Sequence, residues 1–229
     1  MSEFDLGQAI TRMAILAVPL LLGIICHELA HGYVAYRLGD PTAKNAGRLN
    51  FNPIKHLDPM GSAVFILTAI MPGGFVIGWA KPVPIDPRYF KNPRSGIFKV
   101  SLAGPATNFI LAFVFGLITK GLYMIFVSAE ADLSFLHPLL AMAFAGIFIN
   151  IILCVFNLLP VPPLDGSKIL LSILPRDLAM KYLQVERYGM LILILLLATG
   201  VLGYIIQPVL ALMLSLVTTV LGLPPELFM

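Results

Sequence analysis

The chain has 229 residues, of which 59% are hydrophobic and only 12% are charged. Water-soluble globular domains carry about 25% charged residues, so this composition excludes that class and indicates a protein that crosses the membrane several times. The net charge of +3 comes without a cluster of basic residues, and nucleic acid is therefore not an expected partner.

Five apolar segments predict the elements that lie in the membrane. They cover about residues 9–37, 61–78, 97–127, 138–159 and 188–222. A transmembrane helix needs about 20 apolar residues, so the last segment is too long for one untilted helix. We expect it to be broken near Gly200, Gly203 and Gln207-Pro208, and whether this segment crosses once or twice stays open.

The first apolar segment leads into His27-Glu28-Leu29-Ala30-His31, an H-E-x-x-H motif. On a helix, histidines four residues apart share one face and can both bind a zinc ion. Glu28 lies about 100° further round the helix, where it can act as general base on a water molecule. A lone histidine inside a membrane is more typical of a packed hydrogen-bonding residue. Three ionisable residues at this spacing and depth instead predict a metal site.

A zinc hydrolase needs a third protein ligand and one open position. His137 lies in a connection on the other side of the membrane, and His56 lies on the same side as the motif but in a turn-rich loop. Asp165 follows prolines within 160–163 that end the helix and let the chain turn back toward the bundle. Taken alone, Asp165 before a glycine is more typical of a turn or of a helix cap. The need for a third ligand on that side favours Asp165 as the ligand that completes the site.

Asparagines occur in two of the later apolar segments. Asn150 and Asn157 are two helical turns apart and share a face, which should point into the bundle. We assign Asn157 to catalysis, as a donor to the oxyanion of a tetrahedral intermediate, with interhelical hydrogen bonding as the alternative. We assign Asn150 to interhelical hydrogen bonding and Asn108, which follows small residues, to helix packing.

Two stretches, 43–51 and 74–85, are predicted to be extended. Pro82 and Pro84 exclude a helix in the second stretch and favour a sheet edge or polyproline conformation. We expect 57–85 to form a re-entrant or interfacial helix followed by a strand, with a true crossing by 61–78 as the alternative. A small membrane-associated β element is therefore part of the predicted fold.

The basic residues predict the orientation in the membrane. They occur in the connections 37–60, 81–99 and 162–187, whereas 128–137 has none. By the positive-inside rule, the three basic connections lie in the cytoplasm, and 128–137 and both termini lie outside. The H-E-x-x-H motif and Asp165 are then expected near the cytoplasmic face.

With these motifs the chain resembles the site-2 protease family of intramembrane zinc metalloproteases. The matching elements cover about residues 20–170. They are His27-Glu28-Leu29-Ala30-His31, Gly78-Trp-Ala-Lys-Pro-Val-Pro84, Ala103-Gly104-Pro105-Ala-Thr-Asn108, Asn157-Leu-Leu-Pro160 and Leu164-Asp165-Gly166. Family members present an edge strand to an unwound substrate, and 74–85 is the candidate here. Many members also carry a PDZ or CBS domain, for which this chain has no room.

The resemblance implies one zinc ion per chain, bound by His27, His31 and Asp165. It implies that Glu28 is the general base and that Asn157 assists the transition state. Such enzymes cut a transmembrane helix of a regulatory protein, or a leftover signal peptide, near the cytoplasmic face. The expected partners are therefore a transmembrane-helix substrate and the lipid bilayer, and the oligomeric state stays unknown.

The predicted fold is an all-α polytopic membrane protein with a bundle of about four to six transmembrane helices. We expect one intramembrane metalloprotease domain over 1–229, with a core at 9–175 and a C-terminal helical segment at 186–222. Three alternatives stay open: a membrane metal-binding protein or transporter, an inactive family member, and another class of membrane zinc protease whose third ligand is a glutamate. The chain lacks a well-placed glutamate for the last, and the spans after Glu28 lack the further acids that a transporter path needs.

Overall fold

The computed structural model of the chain describes residues 6–70, 78–128 and 133–224. Regular structure in these ranges is helical, as expected for apolar segments that must satisfy their own backbone hydrogen bonds in a bilayer. The α-helices are α1 (Leu6–Arg37), α2 (Thr42–Asn45), α3 (Pro53–His56), α4 (Pro59–Ile70), α5 (Pro93–Ser128), α6 (His137–Asn157), α7 (Asp165–Ile173), α8 (Arg176–Glu186), α9 (Gly189–Ala198) and α10 (Val201–Leu221).

Within the described ranges, four helices are long and apolar enough to cross a membrane. These stretches are Ile10–Arg37 of α1, Pro93–Ser128 of α5, His137–Asn157 of α6 and Val201–Leu221 of α10. The prediction of an all-α polytopic membrane protein is confirmed, with spans at the lower end of the expected number. Helices α4 and α9 have 12 and 10 residues. At 1.5 Å per residue they extend about 18 Å and about 15 Å, short of the ~30 Å hydrocarbon core.

Helices α1, α5 and α6 form the centre of the molecule. Near the end of α1, His31 Nδ1 lies 2.7 Å from the carbonyl oxygen of Val100, near the start of α5. Farther back in α1, the Gly23 carbonyl accepts a hydrogen bond of 3.1 Å from Asn108, which lies farther along α5. Helix α5 therefore runs antiparallel to α1. Asn108 also bonds Asn150 of α6, and the chain just after α6 meets the end of α1, so α6 runs parallel to α1.

A glycine lets α5 and α6 approach closely. A Cβ atom on Gly146 of α6 would lie 2.4 Å from two ring carbons of Phe115 on α5. Phe115 belongs to a buried apolar cluster with Ile147, Ile151 and Val217, which joins α5, α6 and α10. Helices in lipid associate largely through such close packing, since the lipid tails are as apolar as the helices themselves.

The C-terminal segment divides into the short α9 and the long α10. Gly200 stands between them with φ +73°, so the expected break near this residue is confirmed. Lys120, in the second half of α5, donates from Nζ to the carbonyl oxygen of Leu221 at 2.6 Å. An ammonium group is favourable at the carbonyl end of a helix. Because Leu221 ends α10 beside the second half of α5, α10 runs parallel to α5.

The prediction of a small β element is wrong for the residues that the structure describes. Part of 43–51 belongs to the short helix α2, and 78–85 makes only one isolated antiparallel bridge, between Leu57 and Ala80. Residues 74–77 of the predicted strand lie outside the described residues. The physical reason lies in the backbone donors of 81–84. Two of these residues are prolines without an N–H group, and the other two N–H groups bond the His56 carbonyl and the Glu28 carboxylate.

The close approach of α5 and α6 gives a stability prediction. Gly146→Ala forces its Cβ against the Phe115 ring and should destabilise the protein by roughly 1–3 kcal/mol. Gly121→Ala on α5 is the matched control, because no atom lies within 4 Å of a Cβ there. That change should be neutral or stabilising by up to about 1 kcal/mol. Thermal unfolding in detergent measures both, and equal stability of the two variants would contradict the close packing.

Candidate active site

The structure brings together the three residues predicted as metal ligands. His27 Nε2 and His31 Nε2 lie 2.9 Å apart, and Asp165 Oδ2 lies 3.0 Å from the first and 3.1 Å from the second. All three residues are buried. A tetrahedral zinc ion with bonds of 2.0–2.1 Å places its ligand atoms about 3.3 Å apart. The triangle of two nitrogens and one oxygen therefore has the size of one face of such a site, and its donor set fits zinc.

Hydrogen bonds to acceptors on α5 hold both imidazole rings in an orientation suited to metal binding. His27 Nδ1 lies 2.6 Å from Asn108 Oδ1, and His31 Nδ1 lies 2.7 Å from the Val100 carbonyl oxygen. Because both partners are acceptors, each Nδ1 carries the proton and each neutral ring turns the lone pair of Nε2 toward the other ligands. This arrangement is typical of histidines that bind metal ions.

A carboxylate facing two imidazole lone pairs needs a positive charge between them. Burial by itself raises the pKa of the Asp165 carboxyl, but the neighbouring His27 and His31 side chains outweigh it and lower this pKa below its usual range. Lys168 Nζ lies 3.6 Å from Asp165 Oδ1, on an exposed side chain. Either a metal cation or an extra proton on an imidazole would satisfy the buried triangle.

Asp165 reaches the histidines because the chain turns sharply after α6. Helix α6 ends at Asn157, and α7 begins at Asp165 itself. The intervening prolines cannot continue the helix, as predicted. Gly166 permits the turn to close tightly, since a Cβ atom there would lie 2.2 Å from the Leu158 carbonyl oxygen. The Asp-Gly pair thus opens α7 and places a carboxylate against the end of α1. Leu164 is the N-cap residue and makes no side-chain cap bond, so the expected capping role of Asp165 is wrong, and its ligand role stays a prediction.

Gly104 lies where α5 passes the two imidazole rings, and its lack of a side chain leaves room for them. A Cβ atom at this position would lie 2.5 Å from His31 Nε2 and 2.6 Å from His27 Nε2. Any larger residue would therefore enter the space between the imidazoles. The sequence Ala103-Gly104-Pro105 passes directly beside the candidate ligands.

Glu28 is held by the backbone of the segment 78–86. Its Oε2 atom accepts a hydrogen bond of 2.7 Å from the N–H group of Val83. Val83 stands between two prolines, so its N–H is the only backbone donor in Pro82–Pro84. Arg48 fixes the same segment, donating to the Lys81 carbonyl oxygen at 2.6 Å. Glu28 therefore lies beside the ligand triangle, but its carboxylate bonds the Val83 N–H group and not a candidate ligand.

Three residues considered in the sequence analysis lie outside the ligand triangle. Asn157 donates from Nδ2 to the Leu153 carbonyl oxygen of its own helix, at 2.9 Å, so its assignment to catalysis stays a prediction. His56, the rival third ligand, is buried and lies 2.8 Å from the Asn50 carbonyl oxygen through Nε2, outside the ligand triangle. His137 begins α6, at the end opposite the candidate site.

Asn108 was expected to contribute packing alone, and this interpretation is incomplete. Its Oδ1 atom faces His27, while its Nδ2 donates to the Gly23 carbonyl and to Asn150 Oδ1. The bond from Asn108 to Asn150 joins α5 to α6 and confirms the expected interhelical role of Asn150, which itself donates to the Gly146 carbonyl of its own helix at 2.9 Å. The two amides form a buried chain from α6 through α5 to His27. The rarity of asparagine inside apolar segments is the sequence signal that could have identified this network.

Known proteins match most of the chain. Residues 15–127 and 118–199 match the family model described as Peptidase family M50. YwhC of Bacillus subtilis strain 168 is 42% identical over 203 residues, 88% of each chain. Rip2 of Mycolicibacterium smegmatis is 31% identical over 187 residues, 80% of this chain and 66% of its own length. MJ0611 of Methanocaldococcus jannaschii is 36% identical over 151 residues, 65% of this chain and 64% of its own. All three relatives carry the name of a zinc metalloprotease, and no solved structure matches the chain.

Asn108 gives a prediction about metal affinity. Asn108→Ala removes the acceptor that orients His27, and loss of such a partner lowers metal affinity by about 10–100-fold. Asn157→Ala is the matched control, because Asn157 bonds only its own helix and should leave zinc affinity unchanged. Titration of the purified apoprotein with zinc, in competition with a chelator, measures both affinities. Equal affinities in the two variants would leave Asn108 with a packing role only.

Proposed function

Because the chain belongs to peptidase family M50, the site-2 protease family, we propose that it is an intramembrane zinc metalloprotease. It hydrolyses a peptide bond within or next to a transmembrane helix of a membrane-bound substrate. The observation that carries the proposal is the buried triangle of His27, His31 and Asp165 with Glu28 beside it. The four long apolar helices support membrane-embedded catalysis, and the whole of 1–229 is proposed as one protease domain.

His27, His31 and Asp165 would hold the zinc ion, with Asn108 and the Val100 carbonyl keeping the rings in place. A bound zinc ion supplies a Lewis acid that lowers the pKa of water and stabilises developing negative charge. Glu28 takes a proton from the attacking water and then passes it to the leaving amine. The Val83 N–H group holds one Glu28 oxygen and so limits where the carboxylate can move.

Asn157 is proposed as a donor to the oxyanion of the tetrahedral intermediate. At rest its Nδ2 group bonds the Leu153 carbonyl. Nδ2 carries two protons, so one can turn toward a substrate while the other keeps this bond. The part-buried position of Asn157 at the end of α6, eight residues before Asp165, supports the assignment.

The site is proposed to face the cytoplasm. The end of α1, the start of α5 and the end of α6 lie on one side of the bundle, and the basic connections follow or precede these same ends. Excess positive charge marks cytoplasmic connections. The enzyme would therefore cut its substrate near the cytoplasmic face of a cell membrane, in contact with the lipid bilayer.

Zinc content tests the ligand set. Wild-type protein purified in detergent should carry about one zinc ion per chain, and Asp165→Ala should carry far less, because two histidines alone form an incomplete site. Asp177→Ala, an exposed acid on α8, is the control and should keep its zinc. If Asp165→Ala kept the wild-type zinc content and His56→Ala lost its zinc, His56 and not Asp165 would be the third ligand.

Cleavage tests the general base. Glu28→Gln should keep zinc and the hydrogen bond from Val83 but lose about 10²–10⁴-fold in rate, since an amide cannot take the proton. The rate is measured on a membrane substrate that the wild type cuts, with Glu186→Gln on α8 as control. Full activity of Glu28→Gln would rule out the proposed role, and a wild type that cuts no membrane substrate would favour an inactive family member.

A further inference from the structure

An apolar cavity lies beside α1, one turn before Glu28. Its volume is about 230 Å³, and its walls come from α1, α3, α4 and residues 78–80. Ile24, Ile25, Phe65 and Trp79 are among the apolar side chains that line it. The reaction proposed above uses no atom of this cavity.

The cavity adjoins the candidate site along α1. Ile24, which lines the cavity, lies four residues before Glu28, so both side chains occupy the same face of α1 about 6 Å apart along the axis. The opposite wall is also shared. Trp79 and Ala80 line the cavity, and three residues later the same segment donates the Val83 hydrogen bond to Glu28. A peptide lying at Glu28 would therefore pass the mouth of the cavity.

The volume of the cavity limits what can bind in it. A helix of 10–12 Å diameter and 5.4 Å pitch takes up roughly 500 Å³ per turn, so a substrate helix does not fit. Whole small-molecule ligands generally need pockets of about 300–1,000 Å³. A volume of 230 Å³ instead suits one large side chain projecting from a peptide that lies outside.

One buried polar side chain stands in the largely apolar wall of the cavity. His56 lines the cavity and is only 1% exposed, and its Nδ1 atom has no hydrogen-bond partner in the described part of the chain. Its Nε2 faces the Asn50 carbonyl and so carries the proton, which leaves Nδ1 as an acceptor. Because His56 is this deeply buried, the acceptor lies inside the wall, and an occupant of the cavity meets apolar surface.

We propose that this cavity is a specificity subsite, which holds one large apolar side chain of the substrate next to the scissile bond. The inference rests on the proposed function and names the substrate feature that the site selects. Because α1 approaches Glu28 from the cavity, the selected residue lies on the bilayer-interior side of the bond. Substrates with an aromatic or long aliphatic residue there bind well, and those with glycine bind poorly.

Two peptide hydroxamates of equal length test the subsite without a natural substrate. The hydroxamate binds zinc, and the adjacent residue is phenylalanine in one compound and glycine in the other. Trp79 is the single tryptophan of the chain and lines the cavity, so its fluorescence reports binding in detergent. Wild type should bind the phenylalanine compound at least about tenfold more tightly, since apolar pockets discriminate in this range.

A matched pair of variants locates the effect. Ser62→Leu fills the cavity from α4 and should bring the affinity ratio of the two compounds close to one. Ala63→Leu adds the same bulk on the exposed neighbouring position, outside the cavity, and should keep the wild-type ratio. Zinc content should be equal in all three proteins, which shows that the site itself is intact.

The outcomes separate the subsite from the proposed function. Equal affinity for both compounds in wild type, as expected if a lipid chain fills the cavity, overturns the subsite alone. A wild-type ratio that persists in Ser62→Leu places the discrimination elsewhere and also overturns it. A wild type that lacks zinc, or that carries zinc but binds neither compound, overturns the proposed function and the subsite with it.

Discussion

The orientation of two buried imidazole rings is the constraint on which the rest of the structure depends. Each ring of the H-E-x-x-H motif donates a hydrogen bond from Nδ1 to an oxygen of α5. His27 donates to Asn108 Oδ1 and His31 to the Val100 carbonyl. The helices must therefore approach closely and in one register, because a hydrogen bond tolerates only a few tenths of an ångström. Gly104 makes this approach possible by leaving the space beside both rings free.

The same constraint explains where polar groups occur in an otherwise apolar bundle. The amides of Asn108 and Asn150 link α6 to His27 through α5, and both side chains are fully buried. A buried amide without partners would be strongly unfavourable in a bilayer, so such a network either is complete or disrupts packing. The chain thus uses rare polar residues to fix one register among helices whose apolar surfaces would tolerate several.

The segment 78–86 connects the candidate general base to the surface of the bundle. Within 81–84, two prolines lack the backbone donors that a sheet would need, and the other two donors bond Glu28 and the His56 carbonyl. The segment is therefore extended without forming a sheet. It also forms a wall of the apolar cavity, so one short stretch borders both the proposed catalytic group and the proposed subsite.

The sequence by itself determined the membrane class, the long helices and the motif, because composition and periodicity act locally and need no partner. It also indicated His27, His31 and Asp165, since motif spacing and the helix-ending prolines are local properties. Only the tertiary structure decided that Asn108 orients His27, that 78–85 forms no sheet, and that a cavity adjoins Glu28. These features depend on contacts between residues far apart in the chain, 55 positions for Glu28 and Val83 and 81 for His27 and Asn108, and no local pattern specifies which distant group completes a hydrogen bond.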